Sequence, residues 1–165
     1  MIAILAVAFG VALAVMPPAS DCSMRPPPLN VDHIRTASEV KSVVVDQNEL
    51  AATALLNDGS VLRVTNMGCQ HSGSIVRLWV IGQPPSTTET QVWIAKAKLA
   101  ADIGFDPVEA KFFDKWLATA KIKPQEEGGL TADGSFGEGD ITYEVIVSPR
   151  DMDVGTLVTV SYAYP

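Results

Sequence analysis

The chain has few of the residues on which enzyme chemistry usually depends. Its 165 residues include only two cysteines and two histidines. No Gly-x-Ser-x-Gly, His-Glu-x-x-His, phosphate-loop or dinucleotide-binding pattern is present. A catalytic zinc site needs about three protein ligands and a structural one about four, which this sequence supplies poorly. We therefore expect no metal and no cofactor, and we favour a non-catalytic protein over an enzyme.

Charge is also missing from the first part of the chain. Residues 1–19 contain no charged side chain, and residues 2–15 are almost all apolar. Such a run is short for a membrane span but typical of a secretory signal. We therefore predict that residues 1–19 are removed and that the protein is periplasmic or secreted. The usual positive charge before the apolar run is absent, so an uncleaved membrane anchor is the alternative.

The part of the chain beyond this signal is acidic. All 19 acidic and 12 basic residues lie beyond residue 19, which leaves a formal charge of −7. This charge disfavours nucleic acid and anionic membrane surfaces as partners. Another envelope or secreted protein is the partner that we expect, and the sequence leaves the oligomeric state open.

Both cysteines are predicted to be structural, because exported proteins commonly form disulfides. A bond between Cys22 and Cys69 would close a long loop and stabilise the fold by about 3–4 kcal/mol. Two free thiols are the alternative. His71 lies two residues after Cys69. This pair is therefore the weak candidate for nucleophilic or metal chemistry.

The apolar pattern divides the chain beyond the signal into an arm and a domain. Residues 20–40 contain three consecutive prolines and are predicted to be an extended arm or linker. Residues 41–165 are predicted to form one globular α+β domain. Alternating apolar and β-branched residues predict six strands, at residues 41–46, 50–56, 60–65, 74–81, 141–148 and 157–164.

A tight turn is predicted between the second and third strands. Asp58-Gly59 lies between two apolar runs, and both residue types tolerate positive φ. We therefore expect a two-residue turn, which places Leu55 opposite Leu62 on one side of the ribbon.

Two helices are predicted between the fourth and fifth strands, over about residues 87–103 and 107–121. Gly104 is expected to end the first helix in the left-handed conformation. Asp106 is expected to cap the second helix, and Glu109 completes a capping box. The predicted fold class is therefore α+β in the order ββββααββ. It is a mostly antiparallel sheet of about five or six strands with this helical hairpin packed on one face.

Residues 125–140 are rich in glycine and acidic residues and show no apolar period. We predict a long loop or irregular hairpin there. A calcium loop is less favoured, because the acidic residues do not follow the EF-hand spacing. The predicted binding surface consists of six side chains of this stretch: Glu126, Glu127, Asp133, Phe136, Glu138 and Asp140.

We weigh three functional hypotheses. The leading one is an exported, non-catalytic domain that binds a protein or has a structural role in the envelope. An immunity or inhibitor protein, whose acidic loop covers a basic cleft, is one version. The second hypothesis is a hydrolase of envelope polymers that uses Cys69, His71 or late-loop carboxylates. The third is a small-ligand or sugar-binding module, which would need at least two of the three tryptophans, Trp79, Trp93 and Trp116, to be exposed.

Overall fold

The structure is a computed structural model that describes residues 24–69, 71–82, 89–125, 129–137, 141–151 and 155–165. Within these ranges, eight strands form one antiparallel sheet. The strands are β1 Val40–Val45, β2 Ala51–Leu56, β3 Val61–Met67, β4 Ser72–Ile81, β5 Lys123–Pro124, β6 Leu130–Phe136, β7 Ile141–Asp151 and β8 Gly155–Tyr164. Their order across the sheet is β1-β2-β3-β4-β8-β7-β6-β5. The helices are α1 Val31–Thr36, α2 Thr90–Gly104 and α3 Pro107–Leu117.

The hydrophobic core lies between one face of the sheet and the helices. Side chains alternate along each strand, so every second residue points toward the helices. Val64, Val76, Val160 and Val145 pair in turn across β3, β4, β8 and β7, and all four are buried. Trp93 of α2 and Phe113 of α3 are buried against this face in the same cluster. The opposite face carries mostly half-buried and exposed residues.

The predicted fold class is wrong. The structure has one sheet of eight strands with three short helices, and not a helical hairpin on five or six strands. Part of the difference lies in residues 125–140, which were expected to form a long loop or irregular hairpin. Residues 130–136 form β6, which pairs with β7 along its whole length. Gly134 weakened the strand signal, but a Cβ there would lie 3.3 Å from the indole nitrogen of Trp116. The glycine leaves room for that ring.

A further difference lies before the first strand, where the apolar pattern predicted no helix. The side chain of Asn30 caps α1 by accepting a hydrogen bond from the His33 amide at 3.1 Å. Ile34 is the buried residue of this helix. The Nε2 atom of His33 lies 2.7 Å from the carbonyl oxygen of Asp102 at the end of α2. One buried side chain in six residues is too weak a period to be read from the sequence.

The register of the first hairpin also differs from the prediction. Leu55 pairs with Val61, and the loop has three residues, 57–59. Gly59 alone has a positive φ, of 85°, whereas a two-residue type I′ turn needs positive φ at both central residues. Asp58 instead accepts a hydrogen bond from the Ser60 amide at 2.9 Å. The shift of one residue turns Leu55 to the outer face, where it is 37% exposed.

Gly104 ends α2, as its position in the sequence indicated, but for a different reason. Within the described residues its φ is not among the positive values. A Cβ at this position would lie 2.4 Å from a methyl group of Val76. Glycine therefore lets the end of α2 approach β4 closely.

Candidate functional site

A polar row crosses the core face of the sheet at one end of the core. Asn66, Ser74, Tyr162 and Tyr143 pair in turn across β3, β4, β8 and β7. All four are buried. The next row on this face consists of the four paired valines described above, so the core changes from apolar to polar within two residues of each strand. Burying four polar side chains is costly unless they are hydrogen-bonded, which makes this row the first place to look for a site.

The first turn of α3 places a carboxylate over the polar row. Asp106 caps the helix, since its Oδ1 atom accepts a hydrogen bond from the Val108 amide at 3.0 Å. Glu109 lies three residues after Asp106, in the first turn of α3, and is only 9% exposed. Its Oε2 atom accepts a hydrogen bond from the hydroxyl of Tyr143 at 3.3 Å, and its Oε1 atom accepts one from the hydroxyl of Tyr164.

The proline-rich arm forms the outer wall of this region. The amide of Met24 donates to the carbonyl oxygen of Cys69 at 3.1 Å, which makes an isolated antiparallel bridge. The hydroxyl of Ser72 donates to the carbonyl oxygen of Arg25 at 3.2 Å. The side-chain amide of Asn66 donates to the carbonyl oxygen of Pro27 at 2.9 Å. These three bonds hold the arm against the ends of β3 and β4.

The carboxylate, the arm and three residues of the polar row, Asn66, Ser74 and Tyr162, line a cavity of about 240 Å³, which we call the Glu109 pocket. Liquid water occupies roughly 30 Å³ per molecule, so the space suits a small organic molecule. A second, apolar cavity under α2 has a volume of only about 10 Å³. The Glu109 pocket is lined by Pro27, Pro28, Leu29, Asn30, Asn66, Ser74, Gly104, Asp106, Glu109, Tyr162 and Tyr164.

Ser74 is the residue in this pocket whose hydrogen bonding is incomplete. Its side chain is 1% exposed, and its Oγ atom has no hydrogen-bond partner among the described residues. A buried hydroxyl without a partner costs about 1–3 kcal/mol, and most buried polar groups in proteins avoid this cost. Because Ser74 lines the pocket, a molecule bound there could supply the missing partner.

The tyrosines of the pocket are held in their neutral form. Burial raises the pKa of Tyr162 to about 12, and the charges of Glu109 and Asp106 add to this effect. Burial also raises the pKa of Tyr143 and of Tyr164, and the hydrogen bond and negative charge of Glu109 contribute to both shifts. Tyr143 and Tyr164 therefore remain hydrogen-bond donors to the carboxylate of Glu109 throughout the physiological range.

The predicted pair of Cys69 and His71 lies at the edge of this region and not inside the pocket. Cys69 is half-buried beside Met24 and has a φ of 133°, whereas His71 is exposed. No group of three or more histidine, cysteine, aspartate or glutamate side chains in the described part of the chain could hold a metal ion. Cys22 and residues 1–19 lie outside the described residues, so the disulfide and the signal peptide stay predictions. Within the described ranges, no helix is long and apolar enough to cross a membrane.

The predicted acidic binding surface lies mostly outside the described residues and stays a prediction. Asp133 is exposed on β6, and its carboxylate lies 3.6 Å from the Lys123 ammonium group. Phe136 is half-buried and packs against the core. The other four residues of that surface lie outside the described ranges: Glu126, Glu127, Glu138 and Asp140.

The tryptophans do not form an exposed platform. Trp93 and Trp116 are buried, and Trp79 is half-buried on the outer face of the sheet. The condition set for a small-ligand or sugar-binding module, at least two exposed tryptophan rings, is therefore not met, and any ligand site must be built from other residues.

The residues of the Glu109 pocket were missed because the sequence explains each of them locally. The sequence pattern assigns Glu109 to a capping box, and Tyr162 and Tyr164 to the alternation of a strand. In the structure the carboxylate of Glu109 instead accepts hydrogen bonds from the hydroxyls of Tyr143 and Tyr164. A usable signal was present in the composition. The chain has only three tyrosines, and all three lie within the last 23 residues of the sequence, on two adjacent strands. Their hydroxyl groups need partners when buried, which pointed to a polar group above that end of the sheet.

Comparisons with protein-family models, with curated protein sequences and with solved structures found no match for this chain.

Proposed function

We propose that this protein is a small, exported, non-catalytic domain that binds a small polar ligand in the Glu109 pocket. The observation behind the proposal is the hydroxyl of Ser74, which is buried in the wall of a cavity of about 240 Å³ without a hydrogen-bond partner among the described residues. A ligand that bonds this hydroxyl recovers the lost hydrogen-bond energy. Export rests on the apolar residues 1–19.

The lining of the pocket supports binding over catalysis. The described residues around it include no histidine, cysteine or lysine. A serine nucleophile needs an adjacent base that a third group orients. The carboxylate of Glu109 is the group of the pocket that could act as such a base, but both of its oxygen atoms already accept hydrogen bonds from tyrosines. The carboxylate is therefore arranged as a fixed recognition group.

The shape of the pocket supports a small molecule as the ligand. Ligand sites are typically concave and mostly apolar, with a few polar groups that fix the orientation. Here Pro28, Leu29 and the tyrosine rings form apolar walls, and Ser74 and Glu109 provide the polar groups.

The proposal is tested by a thermal-shift screen of the purified protein. The screen uses small amines, polyols, carboxylates and amides, and it is repeated with Ser74→Val. The valine side chain fills space in the pocket and removes the hydroxyl, and it suits a strand. We expect at least one chemical class to raise the melting temperature of the wild type in a concentration-dependent way and to leave that of Ser74→Val unchanged.

Two outcomes would overturn the proposal. The first is that no class of compound changes the melting temperature of the wild type. The second is that the active compounds stabilise Ser74→Val as strongly as the wild type, because they would then bind elsewhere. Thr156→Val is the matched control, since Thr156 is also buried with an unpartnered hydroxyl but does not line the pocket. Its response to the compounds should equal that of the wild type.

A further inference from the structure

The Glu109 pocket concentrates negative charge that no cation balances within the described residues. Five ion pairs occur in that part of the chain, and none includes Glu109 or Asp106. The positive end of the α3 helix dipole offsets part of the two charges. The two tyrosines bonded to Glu109 donate hydrogen bonds but bring no positive charge.

Two hydrogen-bonding groups of the pocket have unused acceptor capacity. The carboxylate of Glu109 accepts one hydrogen bond at each oxygen, although each oxygen has two lone pairs. The hydroxyl of Ser74 has unused lone pairs and no described partner. An ammonium group has three N–H donors and no acceptor, so it matches this set of groups.

Aromatic rings form the adjacent wall. The rings of Tyr162 and Tyr164 lie 5.9 Å apart between centroids and are nearly perpendicular, at 86°. A cation within about 6 Å of such a ring face is attracted by its quadrupole. Pro27, Pro28 and Leu29 add apolar surface for the organic part of a ligand.

These walls favour an organic cation over a metal ion or a guanidinium group. Calcium takes six to eight oxygen ligands, and no cluster of three or more acidic, histidine or cysteine side chains occurs in the described residues. A guanidinium group binds a carboxylate best through two parallel hydrogen bonds. Both oxygens of Glu109 already accept hydrogen bonds from tyrosines, so a single-point ammonium contact fits better.

We infer that the Glu109 pocket binds a small organic ammonium ion, with its nitrogen between the carboxylate of Glu109 and the hydroxyl of Ser74 and its carbon skeleton against the tyrosine and proline wall. This inference rests on the proposed function, and it names the ligand class of the same site. The ammonium group belongs either to a free amine or to a lysine side chain of a partner.

The test is calorimetric titration with three probes of similar shape: cyclohexylamine, cyclohexanol and cyclohexanecarboxylate. At neutral pH they differ mainly in charge, as cation, neutral molecule and anion. We expect the amine to bind about tenfold or more tightly than the alcohol, because a hydrogen bond between charged groups is stronger than one from a neutral donor, and we expect the carboxylate not to bind. A short peptide with one lysine is the fourth probe. Binding of the peptide as tight as that of the amine would assign the ammonium group to a protein partner.

Three variants test whether the amine binds in the Glu109 pocket. Glu109→Gln keeps an acceptor for the tyrosines and removes the charge, and it should weaken amine binding about tenfold or more. Ser74→Ala should weaken it several-fold without loss of the fold. Asp133→Asn is the matched control, because it removes one acidic charge at an exposed site on β6. Its affinity for the amine should equal that of the wild type.

The outcomes separate this inference from the proposed function. If the alcohol binds as tightly as the amine, or if Glu109→Gln and Ser74→Ala both bind the amine like the wild type, the ammonium assignment is wrong. The proposed function still stands in that case if a neutral compound binds and Ser74→Val abolishes its binding. If no probe and no compound of the thermal-shift screen binds, both fail.

Discussion

Replacing Ser74 with alanine should stabilise the folded protein and at the same time weaken ligand binding. A buried serine is usually tied into a hydrogen-bond network, so its removal usually destabilises. Ser74 is different, because its Oγ atom is buried and has no partner among the described residues. In the unfolded chain the same hydroxyl is bonded to water. The wild type therefore loses hydrogen-bond energy on folding that Ser74→Ala does not lose.

The expected size of the effect follows from the burial of this hydroxyl. An unsatisfied buried polar group costs about 1–3 kcal/mol, and removal of the oxygen also forfeits a few dispersion contacts. We expect the free energy of unfolding to rise by about 1 kcal/mol. For a domain of this size, that change raises the melting temperature by about 3 °C.

Urea denaturation followed by circular dichroism measures this change, and two variants calibrate it. Thr156→Val removes a second unpartnered hydroxyl, at the far end of the strand pair, and should stabilise by a similar amount without altering binding. Ser60→Ala removes a buried hydroxyl that is hydrogen-bonded to the carboxylate of Asp58. That variant should destabilise by about 1 kcal/mol.

The reasoning is refuted if Ser74→Ala destabilises the protein as much as Ser60→Ala does. The hydroxyl of Ser74 would then have a hydrogen-bond partner in the ligand-free protein, and a ligand would not be needed to supply one. A stabilised Ser74→Ala that binds every ligand with unchanged affinity would refute only the assignment of the hydroxyl to the site.

Three further predictions concern the site and its surroundings. Base titration followed by absorbance should show little phenolate near pH 10, because all three tyrosines have raised pKa values. The preference of the folded protein for neutral tyrosines contributes its full stabilisation below pH 10. For Tyr162 this contribution, about 2–3 kcal/mol, is lost as the pH rises through about 12, and ordinary titration near pH 10 would contradict the burial argument. Gly73→Ala should lower the free energy of unfolding by about 2–3 kcal/mol, because the added Cβ would lie 2.1 Å from the carbonyl oxygen of Tyr162. An unchanged midpoint of urea denaturation would show that β8 moves freely. The intact mass of the protein recovered from its native envelope should lack residues 1–19, and Cys22 and Cys69 should alkylate only after reduction; a full-length mass or a readily alkylated Cys69 would contradict export or the bond.

The sequence predicts an individual strand or helix cap where the local residue pattern matches the environment of those residues in the folded protein. The alternating run at residues 74–81 lies within β4, and the run at residues 157–164 lies within β8. Asp106 caps α3 because capping needs only a side chain and an amide two residues away. Such signals act over a few residues, so they did not reveal how many strands join the sheet.

The strand at residues 130–136 shows where local reasoning failed. Its glycine and acidic residues read as a solvated loop, yet Leu130 and Ala132 are buried in the sheet. Pairing with β7 along the whole of β6 supplies backbone hydrogen bonds that outweigh the poor strand propensity of glycine and aspartate. That pairing depends on tertiary structure, and no window of the sequence contains it.

By itself the sequence determined the acidic charge, the apolar first segment and the apolar periods of the longer elements, since these depend only on composition and near neighbours. Tertiary structure alone decided the Glu109 pocket. The hydroxyl of Tyr143 lies 34 residues along the chain from Glu109, that of Tyr164 lies 55 residues away, and Asn66 bonds an arm residue 39 positions before it. These contacts form because β8 inserts between β4 and β7, which aligns Ser74, Tyr162 and Tyr143 in one row beneath the first turn of α3.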